Sequence, residues 1–572
     1  MIRRLWAQAA SLEETLAFWA ASLRDIKRRI RPLFSQERVA ANAGLYLEGL
    51  LGDEPRKTGW MRAEAAGDPG PWRQQAILGR GDWDADALRD IARDYVVEHL
   101  GDDDAVLAID ETGFLKQGNS SCGVARQYTG SAGKITNCQI GVFAAYHYSC
   151  FIGRLLNPWA TMIRRSWTRA ASIEETLALW AASLREIKKR IRPLFRQERV
   201  ATNAGLFLEG LLGDEQRKTG WMRAEAAGDP GPWRQQAILG RRDWDADALR
   251  DIVRDYVIEH LADDDAVLVI DETGFLKQGK ASCGVARQYT GSAGKITNCQ
   301  IGVFAAYVSR HGHAFIDRAL YLPKEWTDDP DRLEAAYVPA EIGFETKPKL
   351  GTAMIARAIA ASVPFQWVAG DTVYGVGDIE QRLRQAGKGY VLGVSSAHVF
   401  RSWGKQQPVA GKAADIARAR RPSDWKRLSA GAGTKGPRLH DWCYLELADL
   451  EVEELNSADQ GLWTRGLLIR RHVADGDLAF FTTWCPAGTS IETLVAVEGH
   501  RWAIEDSFET AKNEFGLDHN ESRSWHGWHR HVSLAMLAFA MMAAIRHRAN
   551  PPPPKKKKRR TMAKPKASPR RH

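Results

Sequence analysis

"AVLVIDETGFLKQG", residues 266–279 of this 572-residue chain, carries the strongest local indication of its fold. Its apolar, β-branched start ends in Asp271, a pattern typical of a buried strand that carries a carboxylate at its end. A second run, "FQWVAGD" (365–371), also ends in an aspartate, Asp371. Two further strand-like segments and the helical "LGTAMIARAIAASV" (350–363) lie between the two runs. The sequence therefore predicts a mixed α/β (α+β) core with an antiparallel start.

Ten residues of this stretch occur twice, at 270–279 and at 109–118. They belong to a long repeat, because residues 1–146 align without a gap with residues 162–307 and 128 of the 146 positions are identical. Solenoid repeats are only about 20–50 residues long and diverge except at packing positions. The repeat therefore indicates a duplication at the gene level. Residues 1–146, the front copy, are a truncated duplicate of the N-terminal helical region and first core strands, and an unrelated linker (147–161) joins them to the complete copy.

The complete copy divides by composition and periodicity. We predict, in order, a helical DNA-binding domain at 162–262, the first part of the core at 263–397, a β-rich insertion at 398–480, the last part of the core with its catalytic helix at 481–548, and a disordered basic tail at 549–572. On the pattern alone, a plain interaction bundle explains the helical region equally well.

The net charge of +10 comes from the tail, because residues 551–572 hold ten Lys and Arg and no acid. Subtracting these ten from 80 basic residues leaves 70, which equals the 70 acidic residues of the whole chain. Such a polycation binds polyanions such as nucleic acid phosphates. A tail that only improves solubility is an equally good interpretation.

Composition argues against a membrane protein and a disulfide scaffold. The longest apolar run, residues 532–545, is too short to span a bilayer and predicts a buried helix. Seven Cys, an odd number without CxxC spacing, indicate a reducing compartment. We therefore expect a cytoplasmic protein without a membrane partner.

A third carboxylate lies in "GHRWAIEDSFETAKNEFGL" (499–517), predicted to be part of a helix at about 491–516. On a helical wheel Arg501, Glu505 and Lys512 fall within about 40° of one another, on a stripe that is otherwise apolar. A carboxylate on a core-facing stripe must be neutral, paired or bound to a metal. A simple Arg501–Glu505 ion pair is one interpretation. The other interpretation is that Glu505 converges with Asp271 and Asp371 on two divalent cations. Such an arrangement suits phosphodiester chemistry.

These residues carry a resemblance to a known family. Asp271, Asp371 and Glu505 resemble the DDE triad of bacterial insertion-sequence transposases, whose core is ribonuclease-H-like. Arg501, Glu505 and Lys512 match the R-x3-E-x6-K part of the signature Y-x2-R-x3-E-x6-K of one branch, in which a β-rich insertion precedes the catalytic Glu. "IDETGFLKQG", "FETKPKLG", "AGDTVYG" and "RWAIEDSFETAKNEFGLDHNESRSWHGWHRH" are similar to the insertion sequence 701-type group, over roughly residues 170–548. Glu498 stands where the signature has Tyr.

The resemblance implies a DNA transposase that cuts the ends of an insertion sequence and transfers strands. It implies Mg²⁺ or Mn²⁺ held by Asp271, Asp371 and Glu505, DNA contacts from Arg501 and Lys512, and a homodimer on paired DNA ends. Two alternatives stay open: a catalytically impaired DNA-binding regulator produced by the duplication, and a ribonuclease-H-like nuclease without strand transfer.

Three other patterns in the sequence bear on the site and its cofactors. The front copy supplies Asp110 but no counterpart of Asp371 or Glu505, so Asp271 is expected in the site. Zinc is a weaker interpretation of four histidines, His519, His526, His529 and His531, because no Cys lies near them. "GDTVYGVGD" lacks the Lys of a P-loop, so no nucleotide cofactor is predicted.

Overall fold

The structure is a computed structural model, and the parts of the chain that it describes can be given as ranges. These are 12–51, 58–65, 70–79, 83–101, 106–116, 118, 121–129, 134–147, 173–213, 215, 217–226, 231–240, 244–291, 293–402, 409–433, 436–447 and 462–549. Residues 148–161 of the predicted linker and 550–572 of the predicted basic tail lie outside the described residues.

Both copies begin with helices and continue into strands. The helices of the front copy are α1 (Leu12–Ile30), α2 (Glu37–Leu51), α3 (Gly59–Ala65), α4 (Trp72–Gly79) and α5 (Ala85–Leu100), and its strands are β1 (Val106–Leu115), β2 (Ala125–Thr129) and β3 (Lys134–His147). The corresponding elements of the complete copy are α6 (Ile173–Ile191), α7 (Glu198–Leu212), α8 (Gly220–Ala226), α9 (Trp233–Gly240), α10 (Ala246–Leu261), β4 (Val267–Leu276), β5 (Ala286–Thr290) and β6 (Lys295–Ser309).

Only the complete copy continues beyond these elements. It adds β7 (Gly312–Tyr321), α11 (Lys324–Thr327), α12 (Pro330–Ala335), α13 (Lys347–Ala360), β8 (Trp367–Gly370), α14 (Gly377–Gln385), β9 (Gly389–Val394), β10 (Val399–Arg401), β11 (Ala410–Lys412), α15 (Ala413–Arg418), β12 (Lys426–Gly433), β13 (Gly436–Leu447), β14 (Trp463–His472), β15 (Leu478–Pro486), α16 (Ile491–His500), α17 (Trp502–Phe515) and α18 (Trp525–Ala549).

A mixed sheet forms the centre of the complete copy. Its strands lie in the order β7-β6-β4-β8-β9, in which β4 is antiparallel to β6 and parallel to β8, and β8 is parallel to β9. The two parallel strands β4 and β8 are buried on both faces, as their continuous apolar runs predict. This arrangement confirms the α/β, ribonuclease-H-like mixed sheet expected from the sequence.

The strands of the predicted insertion continue this sheet. Strand β15 pairs antiparallel with β9, and β14, β13 and β12 follow it outward. The complete copy therefore has one ten-stranded sheet, with β5 paired to the far part of β6. The insertion and the core share a hydrogen-bonded framework, so the position of one restrains the position of the other.

Helix α18 lies in the middle of the protein. It contacts α10 and β7, and nearly all its side chains from Gly527 to Ile545 are buried. By length and composition alone it is apolar enough to cross a membrane, but most of it is buried inside the protein, as expected for a core helix.

The front copy repeats the local structure but not the burial. Its sheet, β1-β3-β2, has the register of β4-β6-β5: Ile109 pairs with Ala144 as Ile270 pairs with Ala305. Yet Ile109 is 69% exposed whereas Ile270 is 1% exposed. The elements that cover the complete sheet, such as β7, β8 and α18, follow residue 311, and the front copy has no corresponding sequence.

Candidate active site

The pairing of β4 with β8 brings the two aspartates together. Ile270 lies opposite Gly370 in this parallel pair, so the next residues, Asp271 and Asp371, lie at the same level of the sheet. Gly393 of β9 lets the Asp371 turn pack closely, because a Cβ there would lie 2.8 Å from the Asp371 carbonyl carbon. Asp371 directly follows β8, as the sequence predicts, but the prediction that Asp271 ends its strand is wrong, because β4 continues through Asp271 to Leu276.

Backbone amides orient both carboxylates. The amide of Glu272 donates to Oδ1 of Asp271 at 2.8 Å, and the amide of Val373 donates to Oδ1 of Asp371 at 2.9 Å. Each aspartate is thereby fixed through its Oδ1 atom.

Arg501 connects Glu505 to this pair. Its Nη1 atom lies 3.2 Å from Oε1 of Glu505 and 3.8 Å from Oδ2 of Asp271. The Arg501–Glu505 ion pair that the sequence allowed is therefore present. The same guanidinium also reaches Asp271, so Arg501 bridges Glu505 and Asp271. The ligand atoms of Asp271, Asp371 and Glu505 do not form a group within 4.8 Å of one another in the described residues, so their joint binding of a cation stays a prediction.

The electrostatics of the two aspartates favour a cation. Burial, together with the negative charge of Asp371, raises the pKa of Asp271 to about 7. Burial also raises the pKa of Asp371, and the neighbouring charge of Glu272 adds to this. Paired, partly buried carboxylates that repel each other are oxygen donors of the type that Mg²⁺ prefers, so the residues present fit a divalent cation.

The most compact set of potential metal ligands in the described residues lies elsewhere. Among the described ranges, the group whose ligand atoms lie within 4.8 Å of one another is Glu186, Glu259 and His260, on α6 and α10. Arg190 forms ion pairs with both glutamates. This group is therefore an ion-pair network of the helical region, away from the three carboxylates.

The four C-terminal histidines make contacts within the protein. His519 accepts a hydrogen bond from the amide of Lys218 at 2.9 Å, and His531 Nε2 lies 2.9 Å from the carbonyl of Gly516. His526 and His529 likewise lie 3.3 and 3.0 Å from backbone carbonyls. No zinc-type cluster of these histidines occurs in the described part of the chain.

Lys512 is held by the strand that carries Asp271. Its ammonium donates to Oγ1 of Thr273 at 2.8 Å and to the carbonyl of Gly274 at 3.0 Å. Burial lowers the pKa of Lys512. The wheel correctly places this side chain on the core-facing stripe of α17, and a DNA contact from it stays a prediction.

Sequence reasoning missed a hydrogen-bonded group beside the aspartates. Glu272 accepts from Nζ of Lys347 at 2.8 Å and from the hydroxyl of Tyr374 at 2.6 Å. This group ties β4, the start of α13 and the Asp371 turn together. Its three residues lie within "IDETGFLKQG", "FETKPKLG" and "AGDTVYG", so the motifs themselves contained the signal.

The predicted single helix at 491–516 is two helices, α16 and α17, with Arg501 at their junction. Arg438 of the insertion donates to the carbonyl of Gly499 at 2.9 Å. Glu498, which stands where the family signature has Tyr, is 4% exposed and pairs with Arg470 of the insertion at 2.8 Å. The insertion therefore holds Glu498 and Gly499, in the last turn of α16 before the junction.

Two protein-family models match this chain. The model of the DDE superfamily endonuclease family matches residues 30–190 and again 190–442, and that of the transposase DDE domain matches residues 348–541. The double match follows the internal repeat.

Individual relatives match over shorter spans. The probable transposase for insertion sequence element IS701 of Microchaete diplosiphon is 26% identical over 192 residues, which cover 33% of this chain and 47% of that protein. The chain thus matches about half the length of this curated relative. A piggyBac transposase in a synaptic complex with hairpin DNA is 11% identical, covering 61% of this chain and 65% of that one with a TM-score of 0.33.

The family matches together span well over half of the 572 residues and include the positions of Asp271, Asp371 and Glu505. The chain belongs to the DDE superfamily endonucleases.

Proposed function

We propose that this protein is a DNA transposase that cuts insertion-sequence ends and transfers the cut strands. The observation that carries the proposal is the convergence of Asp271 and Asp371, at the same level of paired parallel strands, with Glu505 linked to them through Arg501. We infer that it acts in the cytoplasm, where bacterial DNA is found.

The chemistry follows from the carboxylates and their supports. Divalent cations, Mg²⁺ or Mn²⁺, would be held by Asp271, Asp371 and Glu505 and would supply activation of the attacking oxygen and stabilisation of the leaving oxygen. The backbone amides that fix one oxygen of each aspartate limit the reorganisation needed for binding. The Lys347–Glu272–Tyr374 hydrogen bonds keep the two aspartate-bearing segments in register.

Arg501 is our candidate for a contact with a DNA phosphate. Its guanidinium lies among carboxylates and is about one quarter exposed. Its planar set of N–H donors can bind a phosphate bidentately. Lys512 is also a candidate DNA contact, although its hydrogen bonds to β4 favour a positioning role. Since two ends must be cut, we expect a homodimer on paired DNA ends.

The test is cleavage of DNA that carries the element's own ends, by the full chain with Mg²⁺. Asp271→Asn, Asp371→Asn and Glu505→Gln should each abolish cleavage and retain end binding. Asp110→Asn is the matched control, because Asp110 has the same strand register in the front copy as Asp271 has in the complete copy. This variant should cut at the wild-type rate. Binding without cleavage by the wild type would favour the regulator, and cleavage without strand transfer would favour the simple nuclease.

A further inference from the structure

The front copy and the complete copy touch each other through the same helix. Helix α1 of the front copy lies against α6 of the complete copy, which is its own duplicate. Other contacts between the copies are minor within the described residues. The molecule therefore contains a pair of nearly identical helices packed against each other.

Equivalent residues are buried on both helices. Ala20 of α1 is 1% exposed and belongs to the buried cluster of the complete copy, against which Trp19 also packs. Their equivalents in α6, Ala181 and Trp180, are each 2% exposed and belong to the same cluster. A contact in which one surface meets its own copy is isologous, and this is the geometry of twofold homodimers.

The contact is separable from the rest of both copies. Among the described residues of the front copy, Ala20 is the one fully buried residue in the main cluster, whereas Ile30, Phe34, Ala43 and Ile77 form a small cluster of their own. Helix α1 thus faces its own copy with one part of its surface and α6 with another. The small side chain of Ala20 allows the close approach.

We propose that the face of α6 around Trp180 and Ala181 is a self-association surface for a second copy of this chain, and that the front copy occupies this surface from within the same chain. When α1 dissociates from α6, the α6 helix of a second chain can pack in its place, because its surface is nearly identical to that of α1. One helix pair buries less than the roughly 1,200–2,000 Å² of a stable complex, so the dimer forms only at high concentration or on DNA. This inference identifies a second copy of the chain as a partner of the proposed transposase, but it depends on helix packing and not on cleavage.

The test uses the full chain without DNA. Ala20→Glu places a charge in the contact on the α1 side and leaves α6 intact, and Ala21→Glu, at the exposed neighbouring position, is the control. Sedimentation velocity gives the mass, and hydrogen exchange over residues 12–30 reports whether α1 is released. We expect wild type and Ala21→Glu to be monomers with α1 protected. In Ala20→Glu, α1 should be released, and the measured mass of the protein should rise to that of a dimer as the concentration increases.

The double variant Ala20→Glu/Ala181→Glu identifies the surface. It should release α1 and remain a monomer, because both helices then carry the charge. A released α1 without dimerisation overturns the proposal, as does a dimer that persists in the double variant. Protection of α1 in Ala20→Glu, or a dimeric wild type, would also overturn it. Cleavage by the same variants is measured separately, so a failure here is distinct from a failure of the proposed reaction.

Discussion

Replacement of Lys512 by Met separates a positioning role from a DNA contact. Methionine keeps the length of the side chain but removes the ammonium that donates to Thr273 and Gly274. A hydrogen bond from a charged group contributes about 1.5–3 kcal/mol, and the burial that lowers the pKa of Lys512 offsets part of this. We expect the free energy of unfolding to fall by about 2 kcal/mol. Cleavage should fall as well, because α17 is then less firmly attached to the strand that carries Asp271.

Urea unfolding and DNA binding at several salt concentrations test this expectation. Each phosphate contact contributes about 0.9 to the slope of log K against log salt concentration. If Lys512 positions the strand, its replacement leaves this slope unchanged. Lys349→Met is the control for stability, because Lys349 is 65% exposed, and its unfolding free energy should change by less than about 0.5 kcal/mol.

A double-mutant cycle with Thr273→Val shows whether the contact exists in free protein. Lys512 and Thr273 should be coupled by about 1 kcal/mol in the absence of DNA. An unchanged unfolding free energy in Lys512→Met, together with a salt slope reduced by about 0.9, would refute the positioning role and show that the ammonium binds a phosphate.

Three further changes address the surroundings of the site. Burial lowers the pKa of His531 to about 3, below the 6.5 of an unperturbed histidine, so stability is lost as the pH falls from about 6.5 towards 3. In urea titrations, the unfolding free energy of the wild type should fall by about 2 kcal/mol more than that of His531→Gln between pH 7.5 and 5.0. Tyr374→Phe removes a 2.6 Å hydrogen bond to Glu272, and single-turnover cleavage should slow about tenfold with unchanged DNA affinity. Arg470→Met leaves the buried Glu498 without this ion-pair partner and should lower the unfolding free energy by about 3 kcal/mol, and an added Glu498→Gln should restore part of the loss.

Local sequence patterns predict the strands and helix that carry the site. The run before Asp271 and the run before Asp371 are apolar and β-branched, which is what buried parallel strands require. The wheel places Glu505 on a core-facing stripe because helical periodicity depends only on neighbouring residues. These patterns, with the family resemblance, predict that the three carboxylates converge. The structure places Asp271 and Asp371 at one level of the sheet and links Glu505 to Asp271 through Arg501.

The supports of the site are not local, so the patterns miss them. Tyr374 is 102 residues from Glu272, and Arg438 is 61 residues from Gly499, whose carbonyl it binds. The helix breaks at Arg501, next to these contacts with the insertion, and nothing in the periodicity of residues 491–516 indicates the break. The partner of a buried charge depends on tertiary packing, which a single-sequence pattern does not contain.

The front copy shows how far local sequence determines the structure. Its strands have the same register as those of the complete copy, so the segment up to residue 146 is sufficient to specify strand pairing. Burial is different, because Phe143 is 53% exposed whereas its equivalent Phe304 is 0% exposed. The large pKa shift of Asp271 requires desolvation and the charge of Asp371, and neither is encoded in the repeated segment. The carboxylate in "IDETGFLKQG" therefore acquires its chemistry only when β8 and α17 follow it in the same chain.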